Sequence, residues 1–389
     1  MENINVYCSI YEENLSSEWV HLVKGPAIVY LEGKGWVLGK EVSNSEVSIR
    51  VGKILPFEIS SACKVSTTDG ESWLAHYSLA GTSIWREIIQ RIFFDGRILR
   101  TILIVGNSDA GKSTLAVYVI NEALKNGLRP CIIDADIGQG DLAPPNAIGG
   151  GLLSAQITDL RDVNPQVIEF VGSTTPTGFE EIIIRAIKKI SREIGTFSNI
   201  CIINTDGYVL NNGIDYKIRM AQEIKPDVVV CLGEDSVFHI FRTNYLPSIV
   251  LYGKSPSNTI KSKIDRKQRR LSQLLRYTSE DYGSHTIISI EIKETTFVYK
   301  GKTYYRAQPG RYDHLYLMGR NNVVCIQRRK LVRMFVGLGL DRNIIGFGII
   351  VDVSRRRLYV KSDVLKFDKI YLSNSGISED NPSEFRIID

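Results

Sequence analysis

Short apolar runs alternate with longer amphipathic stretches through the middle of the chain. The runs at 101–105, 131–134, 167–171, 200–204, 228–232 and 248–252 are largely apolar, as in strands buried on both faces. Helical spacing occupies the intervals, 114–126 among them, so the pattern predicts a parallel sheet covered by helices on both faces. Ile84, Ile88 and Ile92 line one face of a helix leading into that core. Before about residue 76, apolar and polar positions alternate between turns expected at 31–35 and 51–53, which predicts a small β domain. The tail is strand-rich again at 296–299, 345–353 and 358–360. Three domains are therefore expected, at 1–76, 77–285 and 286–389.

The first central run leads into Gly106, Asn107, Ser108, Asp109, Ala110, Gly111, Lys112 and Ser113, then Thr114 and a helix. Two glycines and a Lys-Ser pair at this spacing, between strand and helix, form a phosphate-binding loop. Its backbone N–H groups can close on phosphate oxygens at the positive end of the helix. Lys112 then reaches the β- and γ-phosphates, and the Ser113 hydroxyl can hold Mg²⁺. The fold class sharpens to an α/β P-loop NTPase core flanked by N- and C-terminal β-rich domains, with ATP and Mg²⁺ as the expected ligands.

The second run ends in two acids, Asp134 and Asp136, which strand alternation places on one face at the edge where ligands of parallel sheets sit. One can help order Mg²⁺ while the other takes a proton from an attacking hydroxyl. Solvated turn residues are the alternative, made weaker by the interval from Lys112. Gly138, Gln139 and Gly140 continue as a flexible turn, with the Gln139 amide available to phosphate or substrate.

Composition limits the class. No apolar run approaches the ~20 residues of a membrane-spanning helix, and the first residues lack the basic start and apolar core of a secretory signal, so a cytoplasmic enzyme is expected. Cys8, Cys63, Cys131, Cys201, Cys231 and Cys325 are scattered without zinc-ligand spacing, so no structural metal is expected. The net charge of +5 is mild but uneven. Between Lys254 and Arg276 stand eight basic residues against Asp265 alone. Helical spacing there groups Arg266 and Arg270, and less closely Lys263, on one face, with Ile264, Leu271, Leu274 and Leu275 forming an apolar side. Such a helix is either a solvated charged face or a device for phosphates; Lys267 and Arg269 are expected to meet substrate phosphates or solvent.

Two further segments suit nucleic acid. Thr174, Thr175, Pro176, Thr177 and Gly178 lie between a strand and a helix start, where hydroxyls and N–H groups can clasp an anionic backbone or simply cap the helix. Tyr208 follows the strand at 200–204, placed either to stack on a base or to pack against the basic helix. Arg328-Arg329-Lys330 and Arg355-Arg356-Arg357 read as turn charges, with nucleic-acid contact as the lesser alternative.

Taken in order, Asp134 to Gly140, Phe170 to Gly178 and Asn204 to Val209 resemble successive signatures of the polynucleotide 5′-hydroxyl kinases. These are RNA kinases related to the pre-mRNA cleavage-factor and tRNA-splicing kinase and to the ribosomal-RNA-processing kinase. The tail from Val336 to Ile350 is similar to the archaeal and ribosomal-RNA-processing branch. The resemblance implies transfer of the γ-phosphate of ATP to RNA 5′-hydroxyl ends, with DNA as an alternative acceptor. It implies Lys112, Asp136, Arg266 and Arg270 as catalytic residues, Asp136 being the base and the two arginines a lid over the γ-phosphate. Ser113 and Asp134 would hold Mg²⁺, while Gln139, Thr175, Thr177, Gly178 and Tyr208 would position the terminal nucleotide. Many members carry tryptophan where this chain has Tyr208. The N-terminal β domain is expected to cover the adenine, and protein partners are not indicated. Two other readings stay open: a catalytically silent ATP-binding scaffold of an RNA-processing complex, and a regulatory P-loop NTPase.

Overall fold

A computed structural model describes residues 19–59, 64–68, 70–94, 96, 99–244, 249–256, 261–278, 286–310, 313–378 and 385–387. Cys8 and Cys63 lie outside these residues, as do 257–260 at the start of the expected lid. The chain forms two compact units. One contains 1–133, 151–164 and 194–269; the other contains 134–150, 165–193 and 270–389.

In the first unit the strands of the central sheet run in the order Ile200–Thr205, Thr101–Gly106, Val228–Leu232, Ile249–Gly253. Within the first unit, Thr101–Gly106 pairs in parallel with both Ile200–Thr205 and Val228–Leu232, and the latter with Ile249–Gly253. Ile102, Leu103, Ile104 and Val105 are wholly buried, which explains why these strands read as unbroken apolar runs. The expectation of purely parallel pairing fails in the second unit, where Val167–Phe170 pairs antiparallel with Ala147–Leu152.

The first unit also carries the N-terminal β sheet. Its strand Ala27–Val37 runs straight through the turn expected at 31–35, and the glycines there mark a register shift between Leu31 and Lys34. A bulge absorbs a positive-φ Gly33 without ending the strand. Asn121, buried in the helix Lys112–Lys125, donates to the carbonyls of Leu38 and Ile157 at 2.8 Å each. Asp159 and Arg161 form a buried pair at 2.7 Å, and Arg161 also donates to the Val51 carbonyl.

In the second unit, eight strands form the C-terminal sheet, beside a three-stranded sheet of Arg306–Pro309, His314–Met318 and Val323–Gln327. The expected strands at 296–299, 345–353 and 358–360 are present, as Thr296–Tyr299, Asn343–Val353 and Arg357–Ser362. A ring cluster organises this unit. Phe335 stacks on Phe347 with centroids 5.4 Å apart, and Phe170 lies 6.0 Å and 6.3 Å from the two. Among the described residues no helix is long and apolar enough to cross a membrane.

Because Phe335 is fully buried at the centre of these rings, Phe335→Ala is expected to cost about 3–5 kcal/mol. Phe335→Leu, which keeps most of the volume, is expected to cost less. Denaturant unfolding followed by aromatic fluorescence measures both.

Candidate active site

The phosphate loop is held open by its glycines. Gly106 and Gly111 have φ of 154° and 93°, and a β-carbon on Gly111 would stand 2.9 Å from the Trp85 ring. Asp109 has φ of 62°, a left-handed conformation that aspartate tolerates better than most residues. Lys112 is almost fully buried and folds back over the loop, its ammonium donating to the carbonyls of Gly106 at 2.8 Å and Asn107 at 2.6 Å. Those carbonyls hold the positive charge where phosphate oxygens bind in loops of this kind. The Asn107 amide donates to Glu234 at 2.5 Å.

The end of the neighbouring strand, Ile200–Thr205, supports this loop. The Asn204 amide donates to the Ser113 hydroxyl at 3.2 Å, and a β-carbon on Gly207 would come within 2.6 Å of the Ser108 backbone nitrogen. Only glycine permits that approach. Asp206 then fixes the turn: one carboxylate oxygen accepts from the Tyr208 N–H at 2.8 Å and the other from Lys217 at 2.8 Å. Lys217 is fully buried in the helix Asn212–Ile224, so this is an interior ion pair. Tyr208 is half-buried, its ring 6.5 Å from that of Tyr216. Asn204 and Lys217 were not singled out from sequence. A lysine at helical spacing, three and four residues before Met220 and Ala221, on the buried face of an amphipathic helix was the available signal for Lys217.

In the second unit both acids hold turns. Asp134 is buried, and its carboxylate accepts from the N–H of Asp141 at 2.6 Å and of Leu142 at 3.2 Å. Asp136 accepts from the N–H of Gly138 at 3.1 Å and of Gln139 at 2.8 Å. Gly138 itself packs on the Thr174 carbonyl, where a β-carbon would stand 2.6 Å away. This brings the Asp136 turn against the Thr174–Gly178 segment. In that segment Ser173 is buried and exchanges hydrogen bonds with the backbone of Thr175, while Thr175, Thr177 and Gly178 are exposed. Gly178 has φ of 80° and open space around it.

The basic helix spans Lys263–Arg276. Arg266 lies on the phosphate loop, 2.6 Å from the Asp109 carboxylate, and the Lys261 N–H donates to the same oxygen. Two expectations for this helix need correction. Arg269 is 4% exposed and packs beside Gly52, so it does not face solvent. Of the expected apolar side, Leu274 is fully buried and Leu271 packs against the same cluster, but Ile264 and Leu275 are exposed, and Arg269 and Gln273 are buried in their place. Gln273 donates to the Asp141 carbonyl at 2.7 Å and the Tyr277 hydroxyl to that of Leu142 at 2.7 Å, so polar anchoring to backbone joins the packing of Leu271 and Leu274 in setting its rotation. Arg270, on the same helix, is half-buried.

A parallel sheet with a lysine-bearing phosphate loop and an arginine of the basic helix at that loop defines a P-loop nucleotide-binding class. Residues 106–280 match the family described as mRNA cleavage and polyadenylation factor CLP1 P-loop. Over 136 residues, covering 35% of this chain and 38% of the other, it is 32% identical to a polyribonucleotide 5′-hydroxyl-kinase of Pyrococcus horikoshii. It is 28% identical over 214 residues to the polyribonucleotide 5′-hydroxyl-kinase Clp1 of Xenopus tropicalis, covering 49% of this chain and 47% of that one. The chain thus spans between about a third and a half of the length of these curated relatives. Clp1p in a solved complex with Pcf11p shares the fold, with a TM-score of 0.68 at 15% identity over 92% of this chain and 98% of that one.

Truncating Lys217 to Met leaves Asp206 as an uncompensated buried charge, with an expected loss of about 3–5 kcal/mol. Pairing it with Asp206→Leu removes the stranded carboxylate and should recover part of that loss. A double-mutant cycle by urea unfolding checks the coupling, which additive losses would contradict.

Proposed function

We propose that this chain is an ATP-dependent polynucleotide 5′-hydroxyl kinase of the cytoplasm, acting on RNA ends and with DNA as an alternative acceptor. Its working domains would be 1–76, 77–285 and 286–389. The observation that carries the reading is Arg266 standing on the phosphate loop at Asp109, because an arginine there has charge to offer a transferring phosphoryl group. A silent scaffold needs no such residue; a regulatory NTPase could use one, but it leaves the Thr174–Gly178 segment without a role. The names of the archaeal and vertebrate relatives support the same reaction.

In this mechanism Gly106, Asn107, Ser108, Asp109, Ala110, Gly111 and Thr114 form the cradle for the ATP phosphates. Lys112 exchanges its two carbonyl partners for β- and γ-phosphate oxygens. Ser113 and Asp134 are hard oxygen donors of the kind Mg²⁺ prefers, and when bound that ion would neutralise phosphate charge. Asp136 accepts the proton of the 5′-hydroxyl as its oxygen bonds to the γ-phosphorus. The bond from that phosphorus to the β-phosphate oxygen breaks, and ADP leaves. Arg266 and Arg270 stabilise the charge spread over the equatorial oxygens. Gln139, Thr175, Thr177 and Gly178 orient the terminal nucleotide, and Tyr208 stacks on its base.

Incubation with γ-labelled ATP and a 5′-hydroxyl RNA oligonucleotide should place label on the RNA. Labelled free phosphate alone would indicate an NTPase, and no turnover a scaffold. Asp136→Asn should retain ATP binding while transfer falls by about 10²-fold or more; near-normal transfer by the folded variant removes it as the base. Arg266→Ala or Arg270→Ala should lower turnover by about 10³-fold with a smaller change in RNA affinity. Loss of RNA affinity with turnover intact at saturation would reduce the helix to an electrostatic landing surface.

A further inference from the structure

The three-stranded sheet of the second unit has one buried and one open face. Ala307, Leu315 and Leu317 are fully buried in the C-terminal core, with Val324 and Ile326 packed against them. Strand alternation sends the intervening side chains outward. Arg306, Met318 and Val323 form one cross-strand row on that outer face, and Gln308, Tyr316 and Cys325 form the next. His314 and Gln327 complete it.

Its charge and shape are unusual for a solvated sheet. Val323 is 63% exposed and Tyr316 39%, both large apolar groups on a face that no described element covers. The Tyr316 ring lies against the backbone of Gly310, where a β-carbon would stand 2.9 Å from ring atom Cδ2, and its cross-strand neighbour Cys325 is small. From Lys302 to Lys330 the described residues hold six cations, Lys302, Arg306, Arg320, Arg328, Arg329 and Lys330, against the single carboxylate of Asp313. Asp313 is already engaged by Arg328 at 3.2 Å and by the Arg329 N–H at 3.2 Å. The Arg329 guanidinium donates to Gln327 at 3.1 Å, which holds it at the margin of the outer face. An aromatic ring in the middle row, with an arginine in the adjoining row and another at the margin, is an arrangement that takes single-stranded nucleic acid: bases stack on the ring while guanidinium groups meet phosphates.

We propose that this outer face binds the body of a single-stranded RNA, away from the end that reacts, with Tyr316 as the stacking platform and Arg306 and Arg329 as phosphate contacts. The choice of RNA over an acidic protein rests on the kinase reading above. The excess of cations around an exposed aromatic favours it over a neutral apolar partner.

The test uses the whole chain and a probe that cannot be phosphorylated. A 5′-phosphorylated oligouridylate of about 16 nucleotides, followed by fluorescence anisotropy without ATP, reports binding alone. Tyr316→Ala combined with Arg306→Ala should weaken it about tenfold or more, and should lower the slope of log affinity against log salt by about one. Tyr316→Phe should keep the affinity. Transfer to a 5′-hydroxyl acceptor of about 4 nucleotides should be unchanged, since so short a strand has no body to bind. Equal affinity and salt slope in wild type and double variant would overturn the proposal and leave the face to an acidic protein or to solvent. Absence of wild-type binding would overturn it too, as would a loss accompanied by a lowered melting temperature that Tyr316→Phe shares. If the variant loses the probe while wild type transfers no phosphate to any acceptor, the surface stands and the kinase reading falls.

Discussion

The backbone of Gly207 lies against Ser108 so closely that no side chain fits between the end of one strand and the phosphate loop of the next. Much of the first unit's polar structure serves this approach. Parallel pairing of Ile200–Thr205 with Thr101–Gly106 brings the two loop starts to one sheet edge. The Thr205 hydroxyl then donates to the Ile104 carbonyl, and Asn204 meets Ser113. Asp206 and Lys217 hold the turn from beneath, and burial makes that pair costly to break although of little net worth against an apolar replacement. Such a pair fixes geometry more than it supplies stability. A phosphate cradle needs that kind of support, since its donors act only if they are in place before charge develops.

The second unit solves a different problem with the same means. Asp134 and Asp136 each accept two backbone N–H groups from the residues that follow, so the strand's acids organise their own loop. Carboxylates have room for further partners beyond those bonds. An acid held by backbone donors is oriented by its own loop, which would suit the metal-binding and proton-accepting roles proposed for this pair.

How much of this was legible in sequence depended on which interactions were local. The loop from Gly106 to Ser113, the helix after it and the acids at the next strand's end are short-range patterns, and each lies where periodicity placed it. The strand Ala147–Leu152 escaped because three consecutive glycines give it neither alternation nor β-branched bulk. The glycines at 33 and 35 misled in the opposite direction, since a bulge and a turn share the same residue signal. For the basic helix the apolar stripe was half a guide, since Leu271 and Leu274 pack inward while Ile264 and Leu275 are exposed. Its buried face is also fixed by Gln273 and Tyr277 donating to carbonyls over 130 residues away in sequence, contacts with no local signature. Lys217 was hidden for the same reason, its partner lying on another element.

The pairing of Arg266 with Asp109 bears on how a lid of this kind can contribute to rate. An arginine reaching out of water would first have to be desolvated and ordered, and part of its attraction to phosphate would be spent on that. Here the guanidinium is already ordered against a carboxylate on the loop, so the ligand offers it an exchange of one anion for another. Attraction common to both anions cancels from that exchange. What remains is the surplus of phosphoryl charge over carboxylate charge, which grows as charge spreads onto the equatorial oxygens, so under the proposed mechanism an arginine parked in this way would discriminate between bound nucleotide and transition state more than between empty and occupied loop.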